Sequence, residues 1–238
     1  MTAIASGTAI DVIDGFANFG VRAFTTTRVA GTFSLSGNDA VGEVMARWTA
    51  LQEDLSGQSR RMVIGRQIHG SRVLTHQGGW EGLLRTAEAD GHVALEKGIS
   101  LAVSVADCVP VFLAHPSGVV GILHSGWRGT GARIIDAGLK AFARFGIPPN
   151  EIVVHLGPAI CGRCYEVSAE VRSELTGQPA NRPGNVDLRS LIAEHAKEAG
   201  VRQISVSDAC TRCDNDRFFS HRAGDAGRQL GVIVAGIL

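Results

Sequence analysis

Residues 119–136 read VVGILHSGWRGTGARIID: an apolar run passes through His124 and a group of glycines into an amphipathic stretch. A strand-to-helix turn needs only glycine and a capping residue, so His124, Trp127 and Arg128 require a chemical reason. Just upstream, ADCVPVFLA (106–114) is joined through HPSG to this run, which signals a β-hairpin. With a three-residue loop Cys108 faces His124 directly, and with a four-residue loop the pairing shifts by one. Opposed residues on one face have Cβ atoms about 5 Å apart, which suits one metal ion held through Zn–S and Zn–N bonds of about 2.3 and 2.1 Å. A third ligand must come from elsewhere, and His69, in GRQIHGSRV at the end of a strand, is the candidate. Three protein ligands with an open fourth position is the catalytic zinc arrangement. Without metal, the same Cys108–His124 contact suits a nucleophilic thiol and its base, with no use for His69.

Two further features bear on chemistry. Gly126, Gly129 and Gly131 can expose backbone N–H groups at a helix N-terminus, and Arg128 adds a charged fork, a combination suited to phosphate. Cys161-x-x-Cys164 and Cys210-x-x-Cys213 form two CxxC pairs, a pattern that often means a structural zinc held by four cysteines. The spacer between them, residues 165–209, is longer than a usual zinc ribbon, and the contexts GPAICGRCYEV and DACTRCDNDRFF are dissimilar. These thiols are therefore assigned no role.

The elements that must position these groups follow from hydrophobic period. Strands are expected at Val21–Thr26, Arg61–Ile68, Ser71–Thr75, Leu101–Val105, Val111–Ala114, Ile152–Leu156 and Gln203–Val206. Helices are expected at Ala40–Leu55, after Gly131 through Ile134, Ile135, Leu139, Phe142 and Phe145 until Gly146, and at Leu188–Ala199 with Asp187 as N-cap. The segment GQPANRPGN (177–185) reads as a surface loop. Strands and helices alternate irregularly and no GxGxxG or Walker loop occurs, so a mixed α/β (α+β) sheet is expected rather than a doubly wound nucleotide fold.

The chain has 238 residues, 45% of them hydrophobic, which one domain over 1–238 can fill with a single core. Lys+Arg and Asp+Glu are equal at 23 each, so no basic field would gather nucleic acid or an anionic membrane. The start, MTAIASGTAIDVIDG, has no basic region leading a long apolar run, and no stretch of 18 apolar residues occurs. A soluble, cytoplasmic protein with reduced thiols is expected.

Five motifs converge on one family: RQIHG (66–70), ADCVPV (106–111), HSGWRGT (124–130), GPAI with CYEV (157–167) and CTRCDNDRFFSHR (210–222). Together they resemble the YfiH/laccase-domain family, also called the purine nucleoside phosphorylase or peptidoglycan editing factor family. The likeness runs from FTTTR, ending at Arg28, to GRQLGVI near the C-terminus. It implies a zinc held by His69, Cys108 and His124, a fold with two mixed sheets between helices, and phosphorolysis of adenosine and inosine with adenosine deamination. Under it, Arg28 is a second anion contact and Trp127 a stacking surface for a purine. Deamination needs a carboxylate to move protons, for which Asp107 and Asp90 are the candidates; Asp107 alternates away from Cys108 in an ideal strand, so orienting His69 or a backbone group is its alternative role. The laccase label would need roughly ten His ligands plus a Cys, against eight histidines here. One adventitious Cu2+ at the zinc site could still oxidise phenols weakly. The peptidoglycan name implies a muropeptide precursor as an alternative substrate. Where relatives carry an NLG…VGDD-like segment this chain reads GTFSLSGNDAVGE, so no substrate contact is carried over from that loop.

Overall fold

Apolar runs punctuated by glycine and proline settle into two six-stranded sheets in the computed structural model, which describes residues 8–35, 37 and 39–236. Residues 1–7, on which the expectation of no leader rests, and Ser36 and Asn38 of the GTFSLSGNDAVGE loop lie outside the described residues. In chain order the strands of the first sheet are β1 (Ile10–Val12), β2 (Val21–Thr26), β3 (Arg61–Arg66), β5 (Gly82–Glu88), β7 (Ile99–Val105) and β14 (Gln229–Ala235). Those of the second are β4 (Val73–His76), β6 (Gly91–Ala94), β8 (Val109–Ala114), β9 (Val120–Ser125), β10 (Val153–Leu156) and β13 (Gln203–Val206). The spatial orders are β1-β2-β14-β7-β3-β5 and β13-β10-β8-β9-β6-β4, each mixing parallel and antiparallel pairs. A third, two-stranded ribbon pairs β11 (Glu166–Val167) with β12 (Gly184–Asn185).

The sheets face one another across a core in which Leu101, Val103 and Val105 meet Phe112, Ala114, Val120 and Ile122. Alternate residues of β8 take opposite sides: Phe112 and Ala114 point inward between the sheets, and Val109, Val111 and Leu113 point outward. Helices cover both outer faces. Helix α1 (Val41–Leu55) lays Val44, Trp48, Leu51 and Leu55, a helical stripe, on the first sheet. On the second sheet lie α3 (Ile134–Ala143), through Ile135, Leu139 and Phe142, and α5 (Leu188–Glu198), capped by Asp187 as expected. Because both faces of β8 and β9 are covered, every residue in them is buried, which accounts for their uninterrupted apolar sequences. No helix among the described residues is long and apolar enough to cross a membrane.

Three expectations change. The hairpin register is Pro110 opposite His124 and Ala114 opposite Val120, two places from the three-residue-loop count, so Cys108 lies opposite Gly126 instead of His124. A shift of two preserves the face, which is why Cys108 still meets His124. The helix expected after Gly131 is α3, which ends at Ala143 and leaves Phe145 exposed outside it; a short helix α2 (Trp127–Gly131) precedes it, separated by Arg133, whose φ of 54° is left-handed. Strands β5, β6 and β14 and helix α4 (Ala169–Thr176) form where no element was assigned.

The connections between sheets position the site. β3 leads to β4, β5 to β6 and β7 to β8, each step passing from the first sheet to the second. His69, Asp90 and Cys108 lie one on each of these crossings, and the return crossing from β13 to β14 carries Thr211, His221 and Arg222.

Candidate metal centre

The crossings bring His69, Cys108 and His124 together, their ligand atoms all within 4.8 Å of one another. The His69 and His124 rings sit 4.8 Å apart, edge to face. Asp90 organises the group from behind. Its buried carboxylate accepts the consecutive backbone N–H groups of Ile68 (3.1 Å), His69 (2.9 Å) and Gly70 (2.8 Å), so a single side chain holds the loop that presents His69. His69 itself has a left-handed φ of 61°, a strained geometry that those three bonds stabilise. The same carboxylate meets His124 Nδ1 at 2.8 Å, which leaves Nε2 as the free ring nitrogen and fixes its direction.

Cys108 follows Asp107, whose φ of 81° makes the sharp turn out of β7. The Asp107 carboxylate is bound on both oxygens, by Thr211 Oγ1 at 2.6 Å and by the Arg222 backbone N–H at 2.7 Å. Gln67 adds a second tie, exchanging two side-chain bonds of 2.8 Å with the backbone of Ser104. Gly126 supplies space: a Cβ there would lie 2.9 Å from Cys108 Sγ and 3.2 Å from His69 Cδ2. Burial by itself would raise the Cys108 thiol, but the neighbouring His124 charge and hydrogen bonds from His124 and His69 bring it down to about 6. Burial likewise opposes the charge on His124, which Cys108 and Asp90 hold up at about 9. Each of the two groups therefore favours the charged form of the other. Two imidazoles and a thiolate, with one imidazole oriented by a buried carboxylate, fit a metal that takes three protein ligands and keeps one position open.

Two cavities share this wall. The larger, of about 510 Å³, reaches from Cys108 and His69 to Phe33, Leu35, Ile64 and Arg228. The smaller, of about 240 Å³, shares His69, Ala106 and Cys108 with it and reaches Gly126, Trp127, Arg128, Tyr165 and Arg222. His221 lines both. Arg128 stacks on Trp127 at 4.2 Å and has no ion-pair partner among the described residues, while Arg222 stacks on Tyr165 at 5.0 Å and spends one nitrogen on the Glu166 carbonyl.

Several sequence expectations are corrected by this geometry. Arg28 does not line either cavity: it bonds the carbonyls of Asn215 and Phe218, pairs with Asp225 and stacks on Phe219, so it fastens the return crossing to the first sheet. Asp90 is fully buried behind His124 with both oxygens occupied, so it faces neither cavity; Asp107 does line the smaller cavity, with both carboxylate oxygens already hydrogen-bonded. Gly129 is buried against the Gly70 and His124 carbonyls and α2 is only five residues long, whereas Gly126, Trp127 and Arg128 line the smaller cavity beside Arg222. His221, Arg222 and Tyr165 were not assigned from sequence, although the motifs CTRCDNDRFFSHR and CYEV contain them.

The family model described as multi-copper polyphenol oxidoreductase laccase matches residues 25–236. A purine nucleoside phosphorylase of Streptomyces coelicolor is 35% identical over 204 residues, covering 82% of this chain and 84% of the relative. A protein from an unknown prokaryotic organism named adenosine deaminase RL5 is 33% identical over 243 residues, covering 90% of each. Among solved structures, the hypothetical protein YfiH of Bacillus licheniformis superposes with a TM-score of 0.85 at 25% identity, covering 97% of both chains.

Proposed function

The chain belongs to the multi-copper polyphenol oxidoreductase laccase family, and from that premise we propose that it is a zinc-dependent purine nucleoside enzyme, acting as one catalytic domain. It phosphorolyses adenosine and inosine to base and ribose 1-phosphate, and deaminates adenosine. The observation that carries this reading is the convergence of His69, Cys108 and His124 on a wall between a nucleoside-sized cavity and a small cavity with two guanidiniums. The names of the relatives support the substrate class.

The larger cavity receives the nucleoside, its base against Phe33 and Leu35. Phosphate enters the smaller one, where Arg128 and Arg222 bind its oxygens. Trp127 then serves as the platform that holds Arg128, in place of stacking on the purine. Held there, phosphate is aligned for attack at C1′ of the ribose as the C–N bond to the base breaks. Zinc, when bound, supplies Lewis-acid polarisation and a water of lowered pKa. Asp90 keeps His69 and His124 in place, and Asp107 does the same for Cys108. His221, present in both cavities, replaces Asp90 and Asp107 as the group that moves protons in deamination.

The metal-free reading has one observation in its favour, the close approach of Cys108 and His124, in which each favours the other's charged form. It would make the protein a hydrolase or deamidase, muropeptide precursors included. A donor set of two imidazoles and one thiolate also accepts copper. Neither metal-capable group among the described residues is the histidine-rich cluster of a multi-copper centre, so one Cu2+ with weak phenol oxidation is the extent of that chemistry. One experiment separates these readings: metal content and turnover of adenosine and inosine, with and without phosphate, for wild type, Cys108→Ala and His69→Ala. Phosphate-dependent ribose 1-phosphate from wild type, lost in both variants together with one metal, supports the phosphorylase. Full activity of His69→Ala on an amide substrate would overturn it in favour of a Cys108 nucleophile.

A further inference from the structure

The two CxxC pairs, set aside on their spacing and context, are brought together by the fold. β10 and β13 are parallel neighbours at the edge of the second sheet, and the loops leaving them stay paired, with Ser207 N–H bonding the Leu156 carbonyl at 2.8 Å and Ala159 bridging Cys210. Two turns, Cys161–Cys164 and Cys210–Cys213, therefore lie side by side despite their distance in sequence. The four Sγ atoms all fall within 4.8 Å of one another, with Cys164 and Cys213 at 3.5 Å. We propose that Cys161, Cys164, Cys210 and Cys213 form a second, structural metal site that holds one Zn2+ in a closed tetrahedron of four thiolates.

Three observations carry this assignment. Zn–S bonds of about 2.3 Å in a tetrahedron put sulfurs about 3.8 Å apart, which is the spacing that these thiols approach. Cys210 Sγ already accepts two backbone N–H groups, from Cys161 at 3.3 Å and Cys213 at 3.4 Å, the environment of a thiolate rather than of a packed apolar thiol. A zinc ion with four thiolates carries a net negative charge, and each turn contributes a compensating arginine, Arg163 and Arg212, the latter bonding the Cys164 carbonyl at 3.3 Å. With all four positions filled by protein, this centre has no open coordination site and acts as a clamp.

What it clamps adjoins the first centre. Ile160 N–H bonds the Asp107 carbonyl, Thr211 bonds the Asp107 carboxylate, and Tyr165 lines the smaller cavity. The clamp thus holds the backing of Cys108 in position, a role independent of which substrate the enzyme takes.

The test is metal stoichiometry on protein purified without a metal-affinity tag, by native mass spectrometry and elemental analysis. Wild type is expected to carry two zinc ions, Cys108→Ala and Cys213→Ser one each, and the double variant none. Cobalt substituted into Cys108→Ala should show intense thiolate charge-transfer bands of a tetrahedral site. Equal zinc in wild type and Cys213→Ser overturns the proposal, as does iron in place of zinc. If Cys213→Ser fails to fold, wild type decides: the four thiols should resist a thiol reagent until a chelator removes the metal. Immediate reaction without chelator, or a denatured mass showing disulfides among them, overturns it.

Discussion

At the scale of single residues, the site depends on one carboxylate and one missing side chain. Asp90 converts a loop, a strand end and a histidine into one rigid unit by accepting four hydrogen bonds. Gly126 is needed for space and not for backbone freedom, because its φ of −83° is open to any residue. Gly126→Ala would drive a methyl group to 2.9 Å from Cys108 Sγ. The expected outcome is a metal affinity at the first centre lowered by about 10- to 100-fold, read by competition with a chromogenic chelator. The melting temperature should move only slightly, since the strand and α2 keep their bonds. Unchanged affinity would show that the thiol does not bind where its ring neighbours point.

At the scale of elements, the three sheet-to-sheet crossings each bring one group, and the return crossing locks them. The lock is the Thr211 hydroxyl on Asp107, at 2.6 Å between two fully or nearly buried side chains. Thr211→Val leaves a buried carboxylate oxygen without its donor, which costs about 1–3 kcal/mol. Urea unfolding should register this loss. Because Asp107 precedes Cys108, kcat/KM should fall as well; a variant that loses stability but retains full activity would separate the lock from the site.

For the whole molecule, acid is the sensitive direction. His76 Nε2 and His92 Nδ1 lie 2.9 Å apart inside the protein. Burial lowers His76 to about 4; burial and the adjacent His76 charge, outweighing Asp90, lower His92 to about 3. Both are neutral when folded, whereas the unfolded chain takes up protons below about pH 6.5. Their depressed values therefore leave stability intact above that pH and remove it progressively between pH 6.5 and about 4, on the order of a few kcal/mol. Urea midpoints at pH 7.5, 5.5 and 4.5 should decline, and more steeply in wild type than in His92→Gln. An identical slope in the variant would assign the acid sensitivity to other groups.

Sequence alone determined what local chemistry can express. Apolar runs and helical stripes placed β2, β13, α1 and α5 to within a residue or two; the two helices each bury one defined stripe. The motifs around His69, Cys108 and His124 marked a trio whose ligand atoms the fold brings within 4.8 Å of one another, a group that could hold a metal. The tertiary structure decided everything that depends on long-range pairing. The hairpin register shifted by two because the turn is centred on Ser117, one residue later than the count assumed, with the His115 N–H bonding the Val119 carbonyl. Arg28, an anion contact by resemblance, is bonded scaffold in space, and Asp90 and Asp107, the candidate proton carriers, have their oxygens bound to backbone and side-chain donors. The two CxxC turns meet only because β10 and β13 are neighbours in parallel, a contact between residues 49 apart that no local pattern encodes.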